Sequence, residues 1–312
     1  MEIIREMDNY TAADKKVFLA LGNFDGVHLG HRKLLGEAVS AAKLNQGIAA
    51  AFIFDPHPNN IIKPDKVPKL ITKSDRQAEL LKQIGINLLV YNSFTEEISK
   101  WKPEEFVQKV IVDKFKASKV FVGFNYSFGY KGKGNSETLA DLGRKYGFEV
   151  KVIPPVEING SAVSSTSIRE MVEMGNIKEA QVLLGHFPVV EGIVIRGDQR
   201  GTKIGFPTAN LQVDSDVLIP GTGVYAAKVL HKGVFFNCVV NVGIKPTFHI
   251  NHPVTVEAHI IDFFDNIYDE YLRIYFLEKV RDEKKFENID DLVKQISKDK
   301  DIASQIAIAS SI

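Results

Sequence analysis

The chain reads as two folds in series: an α/β domain built on a parallel sheet, then a small all-β domain that ends in a helix. Three observations predict this. The length of 312 residues suits two domains of roughly 100–200 residues, each with its own core. Through Ile153, short apolar runs alternate with helix-like stretches, the pattern of parallel strands with helices on both faces. From Val189 to Val280 apolar runs follow one another without helices, separated by Gly, Pro and Asn, which predicts a small barrel or sandwich.

Val17–Leu21 predicts a buried strand, and the loop after it opens a helix through His31–Leu44. Ile48–Phe54 predicts a second strand, broken by Asp55-Pro56-His57-Pro58. Ser74–Ile84 predicts a helix with Ser74 as N-cap and Gln77 at the reciprocal capping position. Ile86–Val90 predicts the third strand, and Pro103–Phe115 a helix with proline in its first turn. Val120–Val122 predicts a fourth strand, followed by a glycine-rich loop, a helix near Ser136–Tyr146 and a strand at Glu149–Ile153. Two short helices, Ser165–Glu173 and Ile177–Leu184, run into Gly185, so the domains are expected at 1–185 and 186–312. Beyond that boundary Val254, Val256, Ala258 and Ile260 fall on one face of a strand, and Thr255, Glu257 and His259 on the other. Leu272, Ile274 and Phe276 repeat the period of two, and an amphipathic helix from about Asp290 to Ile308 closes the chain.

Composition excludes several classes. Basic and acidic residues balance at 39 each, with +3 before the Gly185 boundary and −3 after it. Holding long nucleic acid needs a basic excess, so no nucleic-acid partner is expected. The lone cysteine, Cys238, forms no internal disulfide and no cysteine-rich zinc site. The opening Met1–Lys16 is too charged for a secretory signal, and no run reaches the roughly 20 apolar residues that span a bilayer. A cytoplasmic chain with no membrane partner is expected; the sequence fixes no oligomeric state.

Chemistry concentrates in a few segments. Gly22-Asn23-Phe24-Asp25-Gly26-Val27-His28-Leu29-Gly30-His31 lies where the first strand hands over to a helix. Glycines there let backbone N–H groups approach a phosphate at the positive helix end. His28 and His31 fall on one side of the first turn as donors to triphosphate oxygens; a metal pair or two surface histidines is the plainer reading. This HxGH pattern resembles that of the nucleotidylyltransferase superfamily, which also includes class I aminoacyl-tRNA synthetases. Ser164-Ser165-Thr166-Ser167-Ile168-Arg169 puts hydroxyls at a helix start with an arginine one turn in, either a second phosphate device or an ordinary N-cap. Asp55 and His57 follow the second strand, where open α/β sheets bind ligands. After the fourth strand Asn125 offers a hydrogen bond and aromatics such as Phe128 offer a ring, with turn chemistry and core packing as the alternatives. Gly129–Ser136 imitates a phosphate loop, but Asn135 stands where its lysine belongs, so it is not read as one.

In the second half, Gly201-Thr202-Lys203-Ile204-Gly205-Phe206-Pro207-Thr208-Ala209-Asn210 is a glycine-bearing loop between strands. Thr208 and Asn210 offer oxygens suited to a hard cation such as Mg²⁺. Asn241–Phe248 is another polar turn. Glu257 stands on the polar face of its strand, either as a base for a substrate hydroxyl or as a solvated residue.

Taken in order, GNFDGVHLGHRKLL, FDPHP, VGFNYSFG, SSTSIREMVEMGNIKEAQVLLG, GFPTAN, GVYAAKV, NVGIKPTF, VEAHIIDF and FLEKVRDEKKF resemble the bacterial bifunctional riboflavin kinase/FMN adenylyltransferase (FAD synthetase) family over nearly the whole chain. The resemblance implies a Rossmann-like nucleotidylyltransferase domain followed by a small Greek-key β-barrel of riboflavin kinase type. It implies riboflavin, FMN, FAD, ATP, ADP and pyrophosphate as substrates and products, with Mg²⁺ as cofactor. In that family pattern His28, His31 and Arg169 act on the phosphates of adenylyl transfer. Gly22, Asn23, Phe24, Gly26, Gly30, Ser164 and Thr166 bind ATP, and Asp55, His57, Asn125 and Phe128 lie near the flavin. Gly205, Pro207, Thr208 and Asn210 bind the second ATP, Thr208 and Asn210 hold the metal, and Glu257 is the catalytic base.

The chain departs from the family at two places. The family commonly reads Gly-Arg-Thr-Leu-Gly-Phe-Pro, whereas Thr202 and Lys203 follow Gly201 here. Either Lys203 replaces the missing charge or the kinase is weaker. Asn176 stands where aspartate is usual between the two short helices. The competing readings are a single-activity FMN adenylyltransferase with a weakened kinase domain, and a non-catalytic flavin- or nucleotide-binding regulator. The intact set of histidines, hydroxyls and Glu257 argues against the regulator, since a binder needs no base. An aminoacyl-tRNA synthetase-like protein would need a lysine loop and a basic RNA face, which the sequence lacks.

Overall fold

Apolar runs with no polar alternation belong inside a sheet covered on both faces, and that is where the first-half strands lie. The computed structural model describes residues 1–12, 14–197, 199–244 and 254–310. It divides into two units, Met1–Pro68 with Thr72–Ser164, and Lys69–Ile71 with Ser165–Ile312. The expected boundary near Gly185 thus differs from this division, which groups the two short helices with the second unit.

The first unit holds a sheet of β1 (Glu2–Arg5), β2 (Val17–Leu21), β3 (Ile48–Phe54), β4 (Leu88–Asn92), β5 (Ala117–Gly123) and β6 (Glu149–Ile153). Its order is β1-β4-β3-β2-β5-β6, every pair parallel. Val17, Leu19 and Leu21 of β2 face one core, with Val120 and Phe115. Phe18 and Ala20 face the other, with Leu34, Leu35 and Ala38 of the helix Leu29–Leu44. β4 lies two residues later than the expected Ile86–Val90. β1 is not expected from the sequence: it is a four-residue edge strand paired with β4, with Glu2 and Arg5 exposed.

The helix Ser74–Ile84 ends at Gly85, whose φ of 107° is left-handed. Its expected cap is corrected. Lys73 is the N-cap, without a side-chain bond, and Ser74 is the first helical residue. The Ser74 hydroxyl donates instead to Asp55 Oδ2 at 3.2 Å, which frees Gln77 for another task. The expected helix at 103–115 starts as an α-turn, Pro103–Phe106, and runs on as a π-helix, Val107–Lys114. Helix Ser136–Tyr146 is capped by Asn135, which accepts the Thr138 N–H at 2.9 Å. A short hairpin, β7 (Glu157–Ile158) and β8 (Ser161–Ala162), ends the unit.

In this sheet the chain leaves β2 toward β3 on one side, while β5 lies on the other. The loops after β2 and β5 therefore diverge and open a crevice at the carboxyl ends of the strands, the place where open α/β sheets bind ligands. The segments 22–28, 55–58 and 123–129 all lie along this edge.

The second unit opens with helices Ser165–Met174 and Ile177–Leu184, the latter closed by left-handed Gly185 (φ 72°). Then come β9 (Val189–Ile195), β10 (Ala209–Gln212), β11 (Gly223–His231), β12 (Val234–Ile244), β13 (Val254–Ile260) and β14 (Tyr271–Arg281). The strands close a barrel in the order β10-β13-β12-β11-β14-β9, which decides between barrel and sandwich. β11, β12 and β13 follow one another and β14 returns beside β11, the Greek-key arrangement. The β11–β12 turn has Lys232 at φ 47° and Gly233 at φ 81°, as a two-residue type I′ hairpin requires. Tyr225, Cys238, Val240, Val256 and Phe276 fill the interior. The C-terminal helix Ile289–Ala309 is tied to β14 by Asp299, which accepts two bonds from Arg281 Nε (2.9 and 3.1 Å) and one from its Nη2 (2.8 Å). Lys245–Phe248, the end of the second polar turn, lie outside the described residues.

Candidate active sites

At the carboxyl end of β2 the chain takes a turn that costs strain. Phe24 (φ 49°), Gly26 (φ 81°) and Val27 (φ 40°) are all left-handed, a conformation unfavourable for phenylalanine and more so for β-branched valine. Burial of Phe24 and Val27 holds the turn from within. Hydrogen bonds hold it from outside. Gly26 N–H donates to Thr72 Oγ1 and Thr72 N–H to Asp25 Oδ1, each at 3.1 Å. Gln77 Nε2 donates to the Asn23 carbonyl at 2.8 Å, and the Tyr91 hydroxyl meets Gln77 Oε1 at 3.0 Å. Burial, and secondarily Asp55, pushes the Tyr91 phenol up, so it stays protonated as a donor.

His28 is the N-cap of the helix that follows, and its Nδ1 accepts the His31 N–H at 3.3 Å. That bond engages Nδ1 of the His28 ring within the turn itself. The two imidazoles stack with centroids 3.6 Å apart and planes 18° apart. Phe24 meets His31 edge-on at 5.4 Å. Phe24, expected to bind ATP, is a core residue that backs this ring. His31 Nδ1 is buried and has no hydrogen-bond partner among the described residues. Burial first, and the His28 imidazole second, hold the His31 pKa well below its ordinary 6.5, so His31 is neutral at pH 7. Gly30 allows the stack: a Cβ there would stand 3.1 Å from His28 Cε1 and 3.2 Å from Nδ1.

The loop after β3 joins this cluster. The Asn59 N–H donates to His57 Nδ1 at 3.1 Å, which places the ring proton on Nε2. Nε2 lies 2.9 Å from the Asn23 carboxamide, which must therefore turn its oxygen toward the imidazole. Asp55 accepts from Ser74 and lies 3.6 Å from Arg5 Nη1. Asn125 is exposed in the loop after β5. Phe128, expected near the flavin, is buried against Phe106 and Tyr126, each 5.6 Å away, and anchors its loop in the core. The open ring there is Phe124, half exposed.

Ser164 closes the first unit, half-buried. The preceding carbonyl, Val163 O, lies 3.9 Å from where a Cβ on Gly30 would stand, so this segment passes beside the HxGH turn. Thr166 and Arg169 belong to the second unit, on helix Ser165–Met174. Thr166 is exposed in its first turn, and Arg169 Nε donates to the Lys69 carbonyl at 2.7 Å.

On the barrel, Asn210 of β10 and Asn241 of β12 each stand directly opposite Glu257 of β13. All three are half-buried and form one row on the face turned from the core. His259, two residues on, donates Nδ1–H to the Pro207 carbonyl at 2.8 Å and meets the Phe206 ring at 5.3 Å. This ties the GFPTAN segment to the strand that carries Glu257. Gly201 permits the loop's return, since a Cβ there would stand 2.2 Å from the Phe206 carbonyl oxygen, and Gly205 is left-handed at φ 85°. Pro207 and Thr208 line a cavity of about 320 Å³ whose far wall is the loop Phe263–Tyr268. Among the described residues no group of three or more His, Cys, Asp and Glu gathers to hold a metal. A metal beside Thr208 and Asn210 would take one or two neutral protein oxygens and complete its shell with phosphate and water, the habit of Mg²⁺.

Sequence reading missed Thr72 and His259 and assigned Gln77 to a cap. Their only signal is chemical type: a hydroxyl, an imidazole and a neutral amide at positions that secondary structure alone does not require.

Two family models match the chain, FAD synthetase over residues 10–167 and riboflavin kinase over 184–307. A bifunctional riboflavin kinase/FMN adenylyltransferase from Bacillus subtilis is 36% identical over 289 residues, covering 91% of this chain and 90% of the relative. The Escherichia coli (strain K12) protein of the same name is 30% identical over 301 residues, covering 96% of each. A crystal structure described as a macrolide-efflux protein from Streptococcus pneumoniae superposes with a TM-score of 0.89 at 30% identity, covering 97% of this chain and 99% of that one. That description is of its own protein; among the described residues no helix here is long and apolar enough to cross a membrane. With a FAD synthetase match on the sheet, a riboflavin kinase match on the barrel, and full-length relatives that join both, the chain belongs to the bifunctional riboflavin kinase/FMN adenylyltransferase family.

Proposed function

We propose that this chain makes FAD from riboflavin in two successive ATP-dependent transfers, with the functional boundary near Gly185. In the barrel the riboflavin 5′-hydroxyl attacks the γ-phosphorus of ATP, giving FMN and ADP. Glu257 accepts the hydroxyl proton as the P–O bond forms, because an alkanol is too weak an acid to ionise beforehand. Thr208 and Asn210 supply oxygens for Mg²⁺, which when bound neutralises charge on the transferring phosphoryl group. Gly205 and Pro207 shape the loop that meets ATP.

At the sheet, an FMN phosphate oxygen attacks the α-phosphorus of a second ATP and pyrophosphate leaves. Gly22, Gly26 and Gly30 leave backbone room for phosphate. His28 and His31 stabilise charge and form no covalent intermediate. Ser164, Thr166 and Arg169 serve the departing pyrophosphate, while Asn23, Asp55, His57 and Asn125 serve the nucleotide and flavin. A cytoplasmic location agrees with ATP as co-substrate.

The observation that most supports this reading is the pairing of a stacked His28–His31 couple at the carboxyl end of β2 with Glu257 set between two asparagines on the barrel. Incubation of the purified chain with riboflavin, ATP and Mg²⁺, followed by chromatography, is expected to yield both FMN and FAD. Supplied FMN tests the second step alone. FMN without FAD, or FAD only from supplied FMN, would reduce the chain to one activity, and neither product would leave a binder.

A further inference from the structure

The cavity beside Thr208 has a wall without regular structure, the loop Phe263–Tyr268 between β13 and β14. Such a wall keeps its shape only if both ends are fixed. At its start the Phe263 ring is met edge-on by His231 (centroids 5.4 Å, planes 86°) and by Phe236 (5.0 Å, 77°). Just past its end, the Glu270 carboxylate accepts His231 Nε2–H at 2.6 Å and the Lys232 ammonium at 3.2 Å. These two donors hold the Glu270 carboxyl below the usual carboxylate range, so it is ionised where it accepts them. The Glu270 carbonyl in turn accepts the N–H of Val194, another residue of the cavity lining, at 2.9 Å.

His231 thus touches the first residue of the wall and Glu270, two residues past its last, while only 5% exposed. It is the last residue of β11, opposite Val234 in the hairpin. Neither the hairpin nor the barrel core requires a polar ring there. We propose that His231, paired with Glu270, is a positioning residue for riboflavin phosphorylation: it fixes the Phe263–Tyr268 wall and so sets the affinity of the cavity for a substrate. This rests on reading the cavity as a substrate pocket of the kinase half. His231 meets no reacting atom, so its effect falls on KM and not on kcat.

The test uses the full chain and three substitutions. His231→Phe keeps the ring against Phe263 and removes the donor. Glu270→Gln keeps an acceptor and removes the charge. Asn266→Trp places an indole in the cavity from an exposed loop position. FMN formation is measured with riboflavin and ATP varied in turn, and FAD formation from supplied FMN is measured alongside. His231→Phe is expected to raise KM for one of the two substrates by about tenfold, Glu270→Gln by less, both with kcat and FAD formation unchanged. If His231→Phe does not fold, Glu270→Gln carries the test alone, with its smaller rise in KM at unchanged kcat. Unchanged KM in the His231 and Glu270 variants while Asn266→Trp raises it would overturn the positioning role and leave the pocket reading standing. A fall in kcat at constant KM would also overturn it. No effect of Asn266→Trp on either KM would remove the pocket reading, and the proposal with it.

Discussion

Asn210 on β10 stands directly opposite Glu257 on β13. The residue assigned to the metal and the residue assigned to the proton are therefore cross-strand neighbours on one face, and Asn241 flanks Glu257 from the other side. A base in this position is typically worth 10²–10⁴-fold. Glu257→Gln keeps shape and hydrogen-bonding capacity but cannot take a proton, so FMN formation is expected to fall by about that factor. FAD formation from supplied FMN should not change. Wild-type kinase turnover in this variant would remove the base assignment.

The histidine pair gives the complementary result. His28→Ala with His31→Ala is expected to abolish FAD formation while riboflavin phosphorylation continues, measured as FMN accumulating without FAD. Gly30→Ala should act in the same direction while both imidazoles remain, because its Cβ enters the space of the His28 ring. Loss of both activities together in the double variant would contradict two independent centres.

Much of this was legible because it depends on local rules. Val17–Leu21, Ile48–Phe54 and Glu149–Ile153 are strands with the bounds their apolar runs predict. The alternation of Val256, Ala258 and Ile260 placed Glu257 on the polar face, and Gly185 ended its helix. What failed depends on neighbours distant in sequence. Glu2–Arg5 becomes a strand only because β4 offers an edge. Ser74 does not cap its helix because Asp55, 19 residues earlier, draws its hydroxyl away. Phe24 and Phe128 resemble ligand-facing aromatics in glycine-rich loops, yet the cores behind those loops had room for them. In the HxGH turn the residue types were legible; that His28 would spend its Nδ1 on the His31 N–H was not.

A pH dependence follows from His31. Unfolded, it titrates near 6.5, and folded its pKa is lower, with burial as the main cause. Below about pH 6.5 the unfolded chain binds a proton that the folded chain refuses, so stability falls as pH drops toward the folded pKa, and no such loss occurs above it. The melting temperature of the wild type should therefore decline more steeply on acidification than that of His31→Phe, which cannot titrate. Parallel profiles would mean that His31 is not held neutral in the fold.

The Thr72 clamp can be tested without touching the histidines. Thr72→Val keeps the shape and removes the acceptor for the Gly26 N–H, in a loop already strained at Phe24 and Val27. Losing a hydrogen bond of this kind costs about 0.5–1.5 kcal/mol, and Val27 then has less holding it at positive φ. FAD formation is expected to fall through a higher KM for ATP, with FMN formation unchanged. An unaltered KM would show that burial alone holds the turn.

The last prediction concerns Arg281 and Asp299, which join β14 to the C-terminal helix. Asp299 is 1% exposed and accepts from Gln295 as well, at 2.8 Å. Truncation to Ala would leave a largely buried guanidinium without its partner, a loss of about 3–5 kcal/mol. The desolvation of both charges offsets much of their attraction, so replacing the pair together should be milder. Asp299→Leu with Arg281→Met is therefore expected to cost less than Asp299→Ala alone, read from denaturant unfolding followed on the barrel. FAD formation from supplied FMN should survive in Asp299→Ala at temperatures where riboflavin phosphorylation has already failed. If the double replacement proved as damaging as the single one, the helix would depend on this ion pair for its attachment and not on packing around Ala303 and Ala307.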